Sequence, residues 1–149
     1  MRIALFQPEI AGNVGAVLRV GACFDTPVDI IEPMGFPWSD KARKRSAMDY
    51  DDKVAVRRHA DFDAFKASAP GRLVLFTTRG ATRLPETAFA PGDTLLFGSE
   101  SAGVPDFVHA AADLAVRIPL AAGMRSLNLS VSVGIALAEA LRQTDGWPD

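Results

Sequence analysis

The chain has 149 residues, 48% of them apolar, and 16 Lys and Arg stand against 18 Asp and Glu for a net charge of −2. That length suits one domain around one core, and that balance excludes a disordered or histone-like chain. Cys23 is the only cysteine, which excludes an internal disulfide, and His59 and His109 lie near no cysteine or second histidine, which excludes a zinc site at the usual spacing. The segment Met1 to Pro8 carries only the apolar run Ile3–Phe6, and no apolar stretch approaches the roughly 18 residues of a membrane span, so a cytosolic protein without a leader is expected.

In chain order the apolar pattern and its flanks predict a strand over Ile3–Phe6, a helix over Val14–Cys23 capped by Asn13, and a strand over Val28–Ile31. A helix over Lys41–Met48 after Ser39-Asp40, a strand over Val54–Val56 and a helix over Phe62–Ala67 after Asp61 follow. The remainder reads as strands at Leu73–Thr77 and Leu95–Phe97, a helix at Pro105–Ala111, a strand at Ala115–Ile118 and a long helix from Leu127 to Gln143. Most of these strands are continuously apolar, as strands buried on both faces are. Alternating strands and helices imply an α/β fold with a largely parallel sheet, helices on both faces and ligands at the carboxyl ends of strands. Turn residues (Pro33, Gly35, Pro37; Pro70-Gly71; Pro91-Gly92) fall between elements and no linker interrupts the chain, so residues 1–149 form one domain.

Charge is unevenly placed. Between residues 41 and 58, Lys41, Arg43, Lys44, Arg45, Lys53, Arg57 and Arg58 face only Asp49, Asp51 and Asp52. Such an island is either a solvated helix face or a patch that meets nucleic-acid phosphates.

Three glycine-bearing or small-residue turns follow predicted strands. The first, Pro8 to Arg19, holds Asn13, Gly15 and Arg19; the arginine projects from the second turn of an otherwise apolar helix, where a snorkelling surface residue is the plain alternative. The second, Gly98-Ser99-Glu100-Ser101-Ala102-Gly103, brings backbone close to something and carries one acid. It is not the Gly-x-Ser-x-Gly elbow of a hydrolase, and neither histidine offers a base at useful spacing. The third runs from Ile118-Pro119 to Arg125-Ser126-Leu127-Asn128-Leu129-Ser130. Ser126 can cap the final helix, and Asn128 and Ser130 are then a polar surplus that points to a ligand at the helix start. The chain has neither Gly-x-Gly-x-x-Gly nor a Walker loop.

Taken in order, Asn13-x-Gly15-x-x-x-Arg19, Phe97-Gly98-x-Glu100-x-x-Gly103 and Ile118-Pro119 through Arg125-Ser126-x-Asn128-Leu129-Ser130 resemble motifs 1, 2 and 3 of the SPOUT superfamily of S-adenosylmethionine-dependent RNA 2′-O-ribose methyltransferases. Ile30-Ile31-Glu32-Pro33-Met34-Gly35-Phe36, Asp49-Tyr50 and Thr77-Thr78-x-Gly80 are similar to the single-domain subgroup that methylates the wobble ribose, cytidine or uridine 34, of tRNA. Two departures stand out: Ser99 and Ala102 occupy positions where that subgroup usually has Pro and Arg, and Ala11-Gly12 replaces its usual Pro-Pro.

The resemblance, which spans Leu5 to Gln143, implies a sheet whose C-terminal segment is threaded into a deep trefoil knot, and a homodimer. It implies S-adenosyl-L-methionine as donor, S-adenosyl-L-homocysteine as product, no metal, and the anticodon stem-loop of tRNA as substrate. Phe76, Gly98, Ile118, Leu120 and Ser126 would line the donor pocket; Arg19, Asn13, Glu100 and Asn128 would serve catalysis; Arg43, Lys44 and Arg45 would meet RNA. A guanidinium with a pKa above about 12 is a poor base, so Arg19 is expected to bind phosphate or the developing oxyanion beside Asn13, Glu100 and Asn128. The competing readings are methylation of another tRNA or rRNA site, a non-catalytic RNA-binding domain, and a hydrolase using Ser99 or Ser101.

Overall fold

The computed structural model describes residues 1–39, 41, 48–68 and 71–149. Arg43, Lys44 and Arg45, and most of the helix expected over Lys41–Met48, lie outside the described residues. The elements are β1 (Arg2–Phe6), α1 (Ala11–Cys23), β2 (Val28–Ile31), a 3-10 turn (Met48–Lys53), β3 (Val56–His59), α2 (Phe62–Ser68), β4 (Leu73–Phe76), β5 (Thr82–Arg83), a second 3-10 turn (Leu84–Glu86), β6 (Thr94–Phe97), α3 (Asp106–Ala111), β7 (Leu114–Arg117) and α4 (Leu129–Thr144).

The seven strands form one sheet in the order β3-β2-β1-β6-β4-β7-β5, and every pairing is parallel. β1 lies between β2 and β6, with Leu5 opposite both Ile30 and Phe97. Successive side chains of a strand point to opposite faces, so the sheet sorts its apolar residues into two cores. Ile3, Leu5, Val28, Ile30, Leu95 and Phe97 pack on one face against Val14, Val17 and Leu18 of α1 and Val133, Leu137 and Leu141 of α4. Ala4, Phe6, Ile31, Leu75 and Leu96 pack on the other against Phe62 and Phe65 of α2 and Val108 of α3. Among the described residues no helix is long and apolar enough to cross a membrane.

Three expected boundaries are corrected. The strand read at Val54–Val56 is Val56–His59, because pairing of Val56 with Val28 sets the register and leaves Arg57 and Arg58 exposed on an edge strand. α1 starts earlier than expected, at Ala11, and its N-cap is Ile10, so Asn13 lies inside the first turn. The cap of α4 is Asn128, whose side chain accepts from the Ser130 and Val131 amides, rather than Ser126. The two-residue β5, paired only with β7, had no counterpart in the sequence pattern.

Candidate functional site

A cleft of about 570 Å³ opens at the carboxyl ends of β6, β4 and β7, which are neighbours in the sheet. Each strand hands its chain to one wall: Phe76 leads into Thr77, Thr78 and Arg79; Phe97 into Gly98–Val104; Arg117 into Ile118, Leu120 and Arg125–Leu129. This is where open parallel sheets place ligands, and the volume falls in the ordinary range of small-molecule sites. Phe76 and Phe97 stack at 4.9 Å and 11°, and Phe89 continues the stack beyond Phe76 at 6.3 Å. The cleft therefore has an aromatic floor beneath walls rich in backbone groups.

Close backbone approach fixes the walls. A Cβ on Gly98 would stand 2.4 Å from the carbonyl carbon of Gly103, and one on Gly80 would stand 2.3 Å from that of Val116, so neither position accepts a side chain without movement of main chain. The Ser99 and Gly103 amides donate to one another's carbonyls at 2.9 Å, closing the second loop on itself. Arg117 donates through Nη1 to the carbonyls of Gly80 at 2.8 Å and Ala81 at 3.1 Å, and the Thr77 amide donates to the Val116 carbonyl at 2.9 Å. The first and third walls are thereby clamped together.

A polar chain crosses the mouth. Glu100 accepts from the Glu9 amide through Oε2 at 2.8 Å, and from the Ile10 amide and Asn13 Nδ2 through Oε1, both at 3.2 Å. Asn128 Nδ2 donates to Asn13 Oδ1 at 3.0 Å, while Asn128 Oδ1 accepts from the Ser130 amide at 2.9 Å and the Ser130 hydroxyl at 2.7 Å. α1 has no acidic residue in its first turn, so Glu100 supplies the negative charge its N-terminus favours from another loop. Ser101 donates to Glu9 Oε1 at 2.6 Å, and that hydrogen bond holds the Glu9 carboxyl below the usual carboxylate range.

Among the expected donor-pocket residues, Phe76, Gly98, Ile118, Leu120 and Ser126 all line the cleft, as do Asn13, Glu100 and Asn128. Arg19 does not. Six residues beyond Asn13 it has turned to another face of α1, where its guanidinium carbon lies 5.2 Å from the Tyr50 ring centre, with Lys53 Nζ 5.9 Å from the same ring. The expected placement of Arg19 beside Asn13, Glu100 and Asn128 is therefore not made within one chain. Arg79, Arg125 and Ile10 line the cleft without having been singled out as site residues. Arg79 stands inside Thr77-Thr78-x-Gly80, directly after a strand, and that position was the available signal.

The SpoU rRNA Methylase family profile matches residues 1–138. A tRNA (cytidine(34)-2′-O)-methyltransferase of Ancylobacter novellus is 47% identical over 99% of this chain and 95% of its own length. The enzyme of the same name from Escherichia coli K12 is 40% identical over 99% of this chain and 96% of its own. Among solved structures, one concerned with 2-OH methylation of C/U34 on tRNA superposes with a TM-score of 0.91 at 42% identity, covering 95% of this chain and 94% of that chain. An AdoMet-bound rRNA methyltransferase from Sinorhizobium meliloti superposes with a TM-score of 0.84 at 26% identity, over 95% of this chain and 55% of that chain.

Proposed function

The chain belongs to the SpoU rRNA Methylase family, and from that premise we propose that it methylates the ribose 2′-hydroxyl of the wobble nucleotide, cytidine or uridine 34, of tRNA. The observation that carries this reading is the convergence of Asn13, Glu100 and Asn128, from three separate segments, on the mouth of one cleft with an aromatic floor. The cleft fits S-adenosyl-L-methionine: Phe76, Ile118 and Leu120 would supply apolar surface for an adenine, and the loops at Gly98 and at Ser126, before α4, would supply backbone polar groups at its edge. When bound, that donor supplies a methyl group on a sulfonium centre.

The chain's own part is positioning and electrostatics. Glu100 and Asn128 hold Asn13 and the turn before α1 against the start of α4, which fixes where an incoming ribose can lie relative to the floor. Arg19, with its guanidinium over the Tyr50 ring on another face of α1 and outside the cleft of its own chain, is suited to an RNA phosphate. We assign the basic residues Arg43, Lys44 and Arg45 to RNA phosphates. Exposed Val131 and Ile135 on α4, at i and i+4, together with exposed Leu127 in the loop before that helix and exposed Ile10, support a homodimer. A C-terminal trefoil knot and a cytoplasmic location complete the reading, the former supported by the superposition, over 95% of this chain, on the structure concerned with methylation of C/U34 on tRNA.

The test is mass spectrometry of nucleosides from unmodified tRNA incubated with the enzyme and isotopically labelled donor. Label in the 2′-O-methyl nucleoside of position 34 is expected; label at another nucleotide, or none with a protein whose melting temperature rises with S-adenosylhomocysteine, overturns the substrate. Sedimentation should give about 32 kDa, twice the 15.9 kDa chain. Replacing Arg43, Lys44 and Arg45 together by Ala should weaken tRNA binding and flatten its salt dependence, with donor affinity unchanged within about twofold.

A further inference from the structure

Phe107 is 60% exposed, on the second residue of α3. We propose that its ring stacks on an unpaired base of the RNA substrate, with Arg79 beside it taking the adjoining phosphate. The proposal rests on the reading of the cleft as an RNA methylation site and adds a recognition residue outside the chemistry.

Position comes first. α3 leaves directly from the loop that forms one wall of the cleft, and Val104, three residues before Phe107, both lines the cleft and packs with Val108 in the second core. Arg79, in the opposite wall, reaches across to Asp106, the residue before Phe107, at 3.5 Å. The ring thus stands next to the cleft and outside its lining, close enough to meet a nucleotide flanking a ribose held there. The other exposed aromatic among the described residues, Trp147, packs on Phe24 beyond the carboxyl end of α1, at the opposite end of the sheet.

Support comes second. Phe62 meets Phe107 at 5.9 Å and 72°, and Phe62 is 6% exposed, packed in turn on Phe6 at 6.3 Å and Phe65 at 5.9 Å. A ring backed by a buried aromatic column is ordered before any ligand arrives, so stacking on it costs little side-chain freedom. Charge comes third. The side chains of Arg79 and Asp106 are 64% and 96% exposed, and an exposed pair without a hydrogen bond holds weakly, so a phosphate oxygen can displace the carboxylate. An aromatic face beside an arginine is the chemistry that grips unpaired RNA, because every base has a π-face and every nucleotide a phosphate.

The alternative role for Phe107 is to cover Phe62, which needs apolar volume and no π-face. Phe107→Leu separates the two. The experiment measures single-turnover methylation of an anticodon stem-loop RNA against RNA concentration, for the parent, Phe107→Leu, Phe107→Ala and Phe107→Trp, with a set of stem-loops each carrying one abasic loop nucleotide. Phe107→Leu and Phe107→Ala are expected to raise the half-saturating RNA concentration roughly tenfold, more than they change the saturated rate, with Phe107→Trp restoring it. One abasic RNA should weaken the parent by a similar factor and be weakened no further by Phe107→Leu. S-adenosylhomocysteine affinity should stay within about twofold and the melting temperature of Phe107→Leu within about 3 °C. If Phe107→Ala fails to fold, Phe107→Leu carries the test. A Phe107→Leu protein that half-saturates within twofold of the parent, or whose defect multiplies with every abasic RNA alike, overturns the proposal. A parent that methylates no anticodon stem-loop while still binding S-adenosylhomocysteine overturns the substrate reading, and this inference with it.

Discussion

The two ends of the sheet use acidic side chains in opposite ways. At the amino end two carboxylates, Asp29 and Asp93, are buried and saturated by neighbours. Asp29, 2% exposed, accepts from Arg2 Nε at 2.8 Å and lies 2.7 Å from His59 Nε2. Asp93, 1% exposed, accepts from Arg72 Nε at 3.0 Å, from Arg72 Nη2 at 2.7 Å and from the Ala90 amide at 2.9 Å. The Arg2–Asp29 and Arg72–Asp93 pairs tie strand starts together, and His59, the last residue of β3, reaches back to Asp29. At the carboxyl end Glu100 and Asn128 bind loops and helix starts around an open cleft. The same chemistry that closes one end as structure holds the other in the shape of a site, and the difference lies in what surrounds the carboxylate.

The sharpest way to break this contrast is Asp29→Ala, which leaves half-buried Arg2 and buried His59 without their acceptor. Loss of one partner from a buried ion pair costs about 3 kcal/mol or more, so calorimetry should show the melting temperature falling by roughly 6–12 °C, while donor affinity measured on the folded protein stays within about twofold. Next in size is Glu100→Gln, whose amide offers one acceptor oxygen where three donors converge. The melting temperature should change much less than for Asp29→Ala, and single-turnover methylation should slow by about ten- to a hundredfold as the turn before α1 loses its anchor.

Asn128→Asp sharpens the comparison further. The new carboxylate still caps α4, so stability should hold within about 0.5 kcal/mol. It cannot donate to Asn13 and brings a second negative charge toward Glu100, so turnover should fall roughly tenfold in the same assay. The smallest effect is expected at Glu139 on α4, whose carboxyl is held down to about 2, first by the Arg142 hydrogen bonds and then by Gln143. A depressed pKa stabilises the fold above the ordinary value of 4.5, and that stabilisation is lost as pH falls toward the folded value near 2. Melting curves of the parent and Glu139→Gln should therefore differ by a degree or two near neutrality and converge near pH 2.

The sheet was legible in the sequence because its strands are buried on both faces: Val28–Ile31 is a strand over the residues read, and Leu95–Phe97 extends by one. Edge positions were not. β3 holds two adjacent exposed arginines and one apolar residue, Val56, and β5 is too short to leave a pattern. The order of the three motifs identified the segments of the site, but their mutual geometry depends on contacts that no local spacing encodes. Asn13 read as a helix cap because helix starts favour Asn. Its amide instead bridges Glu100 and Asn128, residues 87 and 115 positions away. Phe107, inside a short helical run, carried no signal that its ring would stay at the surface.

The clamp of Arg117 on Gly80 and Ala81 also bears on how the protein comes into being. The walls of the cleft come from residues 76–79, 97–104 and 118–132, so the last wall arrives only with the final fifth of the chain. Contacts this distant in sequence close late and slowly, because the loop entropy between them must be lost first. During synthesis the first part of the sheet can pair early, yet an unfinished chain has no third wall to offer a ligand. Donor binding then serves as a signal of completed assembly: S-adenosylhomocysteine should protect the finished protein from proteolysis and do nothing for a nascent chain stalled before β7.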